Sequence, residues 1–264
     1  MKRRAFIPLI IAGSSALLAS PSALPQVVDV NDAINKAGRQ RMLSQRMAKS
    51  YLAVGQKVQT DAADKILTLS MALFDRHLIE LKAFAPTPEV KATYSALDAS
   101  WNEYKTALVG SAPGKTGAES VLALSGKVLG LANQGTVQLE GFSGKTLGKL
   151  VNISGRQRML SQRMAAFYLS ASWGVQGSIA SAEILKAKDE FAKAHILLKN
   201  APEATPAIKS ELQLVESQFT FFEIALNGLK PGTADALSQG NIFTTSERIL
   251  QVMDGVTGMF SKLA

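Results

Sequence analysis

The eleven residues Gly38-Arg-Gln-Arg-Met-Leu-Ser-Gln-Arg-Met-Ala48 recur without a change as Gly155 to Ala165, at an offset of 117. Identity over that length marks an internal duplication, and a repeat of this size decides the architecture before any residue-level reading. The correspondence runs on through Asn35 with Asn152, Tyr51-Leu52 with Tyr168-Leu169, Leu67 with Ile184, Phe74 with Phe191 and Leu81 with Leu198. Past the loops holding Pro86/Pro88 and Pro202/Pro206 the offset becomes 118. There Trp101 meets Phe219, Tyr104 meets Phe222, Pro113-Gly114 meets Pro231-Gly232 and Phe142 meets Phe260. A single residue gained in a loop accounts for the change, since loops tolerate insertions.

Each copy reads as helices. Apolar residues recur at three- and four-residue spacing, and strand-like alternation is scarce. The spacing predicts helices over 30–59, 61–84, 88–109 and 117–142, then over 146–175, 178–199, 206–229 and 234–263. Breaks fall at Thr60, at Ala85 to Pro88 and at Gly110 to Gly114, all with turn chemistry. The expected fold class is all-α: two tandem up-and-down four-helix bundles related by internal duplication. The units are expected at 26–143 and 144–264. The last helix of the first copy runs almost directly into the first helix of the second, softened by Gly141, Gly144 and Gly148, so the bundles should be rigidly related.

Residues 1–25 read as a signal peptide. Lys2-Arg3-Arg4 forms a positive start, an apolar run follows from Phe6 to Leu18, and small residues suited to cleavage lie between Ala19 and Leu24. The apolar run is shorter than the roughly 20 residues a membrane span needs. Arg3-Arg4-Ala5-Phe6-Ile7 fits a twin-arginine signal, and a Sec signal fits equally well. A periplasmic location is the expectation, with no stable membrane insertion. Composition narrows the chemistry. The chain has no Cys and two His, which leaves little for thiol chemistry or for zinc, haem or iron–sulfur ligation. No metal site and no cofactor are expected. The net charge of +8 falls by three on removal of the signal, and what remains is a mildly basic surface rather than a nucleic-acid footprint.

The distribution of arginine is uneven. Beyond the signal there are eight, and six lie in the two motif copies: Arg39, Arg41, Arg46, Arg156, Arg158 and Arg163. Arginine suits planar anions because its fork of donors matches two oxygens at once. At about 100° per residue, Ile34, Ala37, Arg41, Ser44 and Ala48 share one stripe, as do Val151, Ser154, Arg158, Ser161 and Ala165. Small neighbours let two helices approach and leave room beside the guanidinium. Arg41 and Arg158 are therefore the candidate ligand-binding arginines, with Ala37, Gly38, Ser44, Ser154, Gly155 and Ser161 around them. Arg39 and Arg46 point away, towards water or acidic partners. Neither motif contains an acid, so an arginine buried in such a seam needs a counter-anion, because an unpaired buried charge is costly.

The residues from Asn35 to Met47, and again from Asn152 to Met164, resemble the signature helix of the PilJ/NarX-like sensor domain. This is the N-terminal module of type IV pili chemotaxis transducers and of nitrate/nitrite sensor kinases. The resemblance implies periplasmic four-helix bundles in which paired first helices clasp one nitrate between two arginines. Matched residue by residue, that arginine falls on Arg41 and Arg158. Arg39, Gln40 and Leu43-Ser44-Gln45 depart from the nitrate sensors and bring the motif nearer the pilus-transducer branch. A fused pair of copies would build the two-subunit site within one chain, as a monomer of pseudo-dimeric symmetry. Two guanidiniums held close together repel, and a bound anion would relieve them. The expected function is a non-enzymatic periplasmic sensor of a small anion such as nitrate or nitrite, reporting to a membrane-bound signalling partner. The alternative is a helical protein–protein interaction module of a pilus, chemotaxis or signalling system.

Other motifs carry less. Gly110-Ser-Ala-Pro-Gly-Lys-Thr116 is one residue short of a phosphate-binding loop and follows a helix rather than a strand. His77 and His195 are not equivalent in the repeat and read as helix-surface or boundary residues. Trp101, Tyr104, Phe219, Phe221 and Phe222 read as core, and Met42, Met47, Met159 and Met164 as packing. No catalytic constellation can be assembled, and no catalytic residues are expected.

Overall fold

A computed structural model describes residues 26–263; the expected signal peptide lies outside the described residues. Eight helices follow in order: α1 Val30–Gly55, α2 Thr60–Phe84, α3 Pro88–Val109, α4 Lys115–Ser143, α5 Thr146–Ser172, α6 Gly177–Asn200, α7 Pro206–Asn227 and α8 Ala236–Ser261. They start where capping chemistry allows. Asp29 accepts from the Asp32 amide at 2.8 Å to open α1. Thr87 and Thr205 accept from the Val90 and Ile208 amides, each at 3.3 Å, and Pro88 and Pro206 sit just inside, where a missing N–H costs nothing. Thr87→Ala and Thr205→Ala should each cost about 1 kcal/mol in denaturant unfolding, additively because the two caps lie in different bundles. Helices α1 and α5 stop short of their expected ends at 59 and 175. The backbone there enters the left-handed region at Lys57 and Gln59 in one copy, and at Gly174 and Gln176 in the other, which breaks the hydrogen-bond ladder.

The eight helices form two tandem four-helix bundles. In the first, α1 packs on α2 and α4, and α3 packs on α4; in the second, α5 takes α6 and α8, and α7 takes α8. The most extensive pair of all joins the copies, α1 against α5. Between α4 and α5 the chain reverses at Gly144, in left-handed conformation, and the Gly144 amide returns to the Glu140 carbonyl at 3.1 Å. The expected near-continuous helix is thus a tight hairpin. It sets α5 antiparallel to α4 and parallel to α1. Rigidity between the bundles comes from the α1–α5 seam. Both helices are buried over most of their length, because each serves its own bundle on one face and the seam on the other.

The fourth helices depart from the expected register. The α7–α8 loop is three residues longer than the α3–α4 loop, so α4 and α8 correspond at an offset of 121 rather than 118. Gln45 donates to the Ser125 carbonyl, and its repeat partner Gln162 donates to the Ser246 carbonyl. Leu139 and Phe260 are both fully buried at that offset, whereas Phe142 is half exposed. The pairing of Phe142 with Phe260 was therefore one helical turn out. His77 and His195 are buried, not on the surface, and burial first, then the cations Arg39, Arg76, Lys36 and Arg158, push His77 down to about 3. Trp101, Tyr104 and Phe222 are core, but Phe221 is 71% exposed. No helix among the described residues is long and apolar enough to cross a membrane.

Candidate anion site at the helix seam

Helices α1 and α5 meet at Gly38 and Gly155. A Cβ placed on Gly38 would lie 3.8 Å from the Gly155 Cα, 3.3 Å from Arg41 Nη2 and 3.4 Å from Arg158 Nη2. Glycine at the crossing lets the backbones touch and leaves both guanidiniums flanking the contact point. Side chains on a helix lean towards its N-terminus, so each arginine reaches back past the crossing to the opposite helix. Arg41 Nη2 donates to the Asn152 carbonyl and Arg158 Nη2 to the Asn35 carbonyl, both at 3.1 Å. The two bonds are related by the pseudo-two-fold. Both side chains are wholly buried, and the Nε of each has no hydrogen-bond partner.

The symmetry ends at Nη1. Arg158 Nη1 donates to Asp254, whose Oδ1 also accepts from Arg39 Nη2 at 2.6 Å. Arg41 Nη1 donates to Asn133 Oδ1 at 2.9 Å, and Arg156 Nη1 reaches the same oxygen at 3.1 Å. Each half of the seam thus gathers one arginine from α1, one from α5 and one side chain from a fourth helix. That last side chain is a carboxylate in one half and a neutral amide in the other. The motifs supply no acid, but for Arg158 a neighbouring helix does: Asp254 lies on α8, in a register that only the longer loop reveals. Arg39 likewise takes an acidic partner, as does Arg46, which pairs with Glu247.

The electrostatics follow this inequality. Burial, then the nearby Arg156 and Arg158, push Arg41 down to about 9, against weaker support from Glu140 and Glu190. Burial also lowers Arg158, to about 10, though Asp254 offsets part of it and Arg39 adds to it. For Asp254 burial works upward, but Arg158 and Arg39 outweigh it and hold the carboxyl below the ordinary aspartate range.

The remaining sequence candidates come to the same seam with their hydroxyls engaged locally. Ser44 donates to the Arg41 carbonyl at 2.8 Å, and Ser161 to the Arg158 carbonyl at 2.9 Å. Ser154 donates to the Leu150 carbonyl at 2.8 Å. Ala37 is buried against the crossing. Asn133 and Asp254 went unseen in the sequence, and so did the carbonyls of Asn35 and Asn152. The signal for the first two is a comparison of α4 with α8 at 121, and side-chain spacing is blind to backbone acceptors.

The family model described as "Type IV pili methyl-accepting chemotaxis transducer N-term" matches residues 23–125 and 143–258. The first segment covers α1 to α3 and the start of α4, and the second covers α5 to α8 short of its last turn. No curated protein and no solved structure matches the chain.

Proposed function

The chain belongs to the type IV pili methyl-accepting chemotaxis transducer N-terminal family and carries that domain twice, and on that premise we propose that it is a non-enzymatic periplasmic receptor for a small anion such as nitrate or nitrite, held at the Arg41/Arg158 seam. One observation carries this reading: two wholly buried guanidiniums face a shared crossing, and of the two Arg158 alone has a carboxylate partner among the described residues. Burying a charge without a counter-charge is costly, and a monoanion removes that cost while using the planar fork of donors. Fusing two domains in one chain supplies both arginines without a second subunit. A membrane-bound signalling partner would read the liganded state.

The alternative, in which Arg41 and Arg158 dock onto a partner's acids, fits poorly because those two side chains have no solvent exposure. A thermal melt tests the proposal. At constant ionic strength and an anion concentration ten times Kd, nitrate or nitrite should stabilise the fold by about 1.4 kcal/mol, a rise of about 3–5 °C in midpoint. Arg41→Ala should abolish the rise. A wild-type midpoint that stays put across a broad anion panel would sink the receptor reading.

A further inference from the structure

The two halves of the seam hold four arginines in two like pairs, one pair bridged by a charge and the other by a dipole. The single negative charge of Asp254 is shared by Arg39 and Arg158. Asn133 bridges Arg41 and Arg156 with an amide oxygen that carries no charge. Nearby acids do not make up the difference for Arg41. Glu190 is tied to Arg156 Nε, Glu140 accepts from the Asn152 amide, and Arg41 Nε has no partner. The groove over Asn133, with a cavity of about 220 Å³, is bordered by Gly126 and Gly130. A Cβ on either glycine would meet nothing within 4 Å. At the offset of 121 their counterparts on α8 are Glu247 and Gln251, both of which line the opposite groove. Thus α8 carries long polar side chains where α4 leaves space.

We propose that the seam takes one anion off its axis, seated between Arg41 and Arg156 where the Asp254 carboxylate sits in the other half, and that Asp254 is a built-in ligand closing the Arg158 half. This rests on the receptor reading and deepens it by choosing the side. The built-in group also names the ligand class. A carboxylate is a flat, two-oxygen monoanion, so nitrate, nitrite, formate and acetate fit, and tetrahedral sulfate does not. Asn133 suits the exchange because its amide can turn and offer an N–H to an arriving oxygen, which an aspartate at that place cannot do. The glycine-lined groove is the entry path.

Calorimetric titration with sodium nitrate, sodium acetate and sodium sulfate at constant ionic strength tests it, with circular dichroism to show that each variant is folded. Wild type should bind one equivalent of nitrate or acetate and ignore sulfate. Asn133→Asp should weaken nitrate and acetate by roughly tenfold or more, the loss of one charge-assisted hydrogen bond, and should raise the anion-free melting midpoint. Asp254→Asn should keep the first equivalent and gain a second. Unchanged nitrate affinity in Asn133→Asp, or loss of binding in Asp254→Asn, would overturn the one-sided site and leave an on-axis receptor standing. Heats absent from both wild type and Asp254→Asn would overturn the receptor reading and this inference together.

Discussion

Glu247→Gln should destabilise the protein by about 3 kcal/mol, lowering the melting midpoint by about 6–12 °C. Glu247 lies on α8 and joins the second bundle to α1 of the first. Its oxygens accept from Arg46 Nε at 3.0 Å and Nη2, and from Lys49 Nζ. Lys49 has no exposed side-chain surface, lies 4.4 Å from the Phe243 ring centre and, among the described residues, has only the Ser246 hydroxyl, at 3.0 Å, as a further partner. Burial drives Lys49 down to about 8 in spite of Glu247. Burial would raise Glu247, but Lys49 and Arg46 win and hold it at about 2. Removing the acid leaves an ammonium buried without its counter-charge, which is where the large cost arises. The figure sits at the low end for a buried pair because a fifth of the Glu247 side chain is open to water.

The pH dependence follows from the same shift. A carboxyl whose folded pKa lies below its unfolded value stabilises the fold above the unfolded value of 4.5 and loses that contribution as pH falls towards 2. The acid limb of the stability curve should therefore be shallower in Glu247→Gln than in wild type. Lys49→Met should be close to neutral, because it removes the desolvated charge and leaves Glu247 with Arg46. Urea unfolding at several pH values checks all three. A Glu247→Gln protein as stable as wild type would show that this cluster contributes nothing across the seam.

Gly38→Leu should cost about 3 kcal/mol, whereas Gly38→Ala should be nearly neutral. The contrast arises because the nearest atoms to a new Cβ are the ends of two arginine side chains, with the Gly155 backbone slightly farther off. A methyl group needs those ends to give by a few tenths of an ångström, and the gain of about 1 kcal/mol in helix propensity over glycine offsets that. A leucine needs the helices to part, and neither Arg41 nor Arg158 has solvent to retreat into. Gly155→Leu should behave in the same way. Chemical denaturation measures the stability, and anion titration of Gly38→Ala reports whether the crossing keeps its geometry. If leucine is tolerated as well as alanine, the helices do not touch at this point.

Most of the architecture was legible from residues. The duplicated motif announced two copies, three- and four-residue spacing announced helices, and Thr-Pro at 87–88 and 205–206 placed two helix starts. The stripe through Arg41 and Arg158 picked out the two arginines that lie buried beside the crossing. Errors gathered where length can drift at no energetic cost. A three-residue difference between two loops moved α8 by nearly one helical turn, carried Asp254 opposite Asn133, and hid the one acid among the described residues that touches a central arginine.

Local chemistry is written along the chain: repeat, helix period, caps and the clustering of arginine are properties of near neighbours and need no partner to exist. Which charge ends beside which is another matter. It depends on how the α7–α8 loop phases one helix against another, and on two glycines letting α1 and α5 touch. Electrostatic energy falls off over a few ångströms, so a shift of one turn decides whether a buried guanidinium meets a carboxylate or an amide.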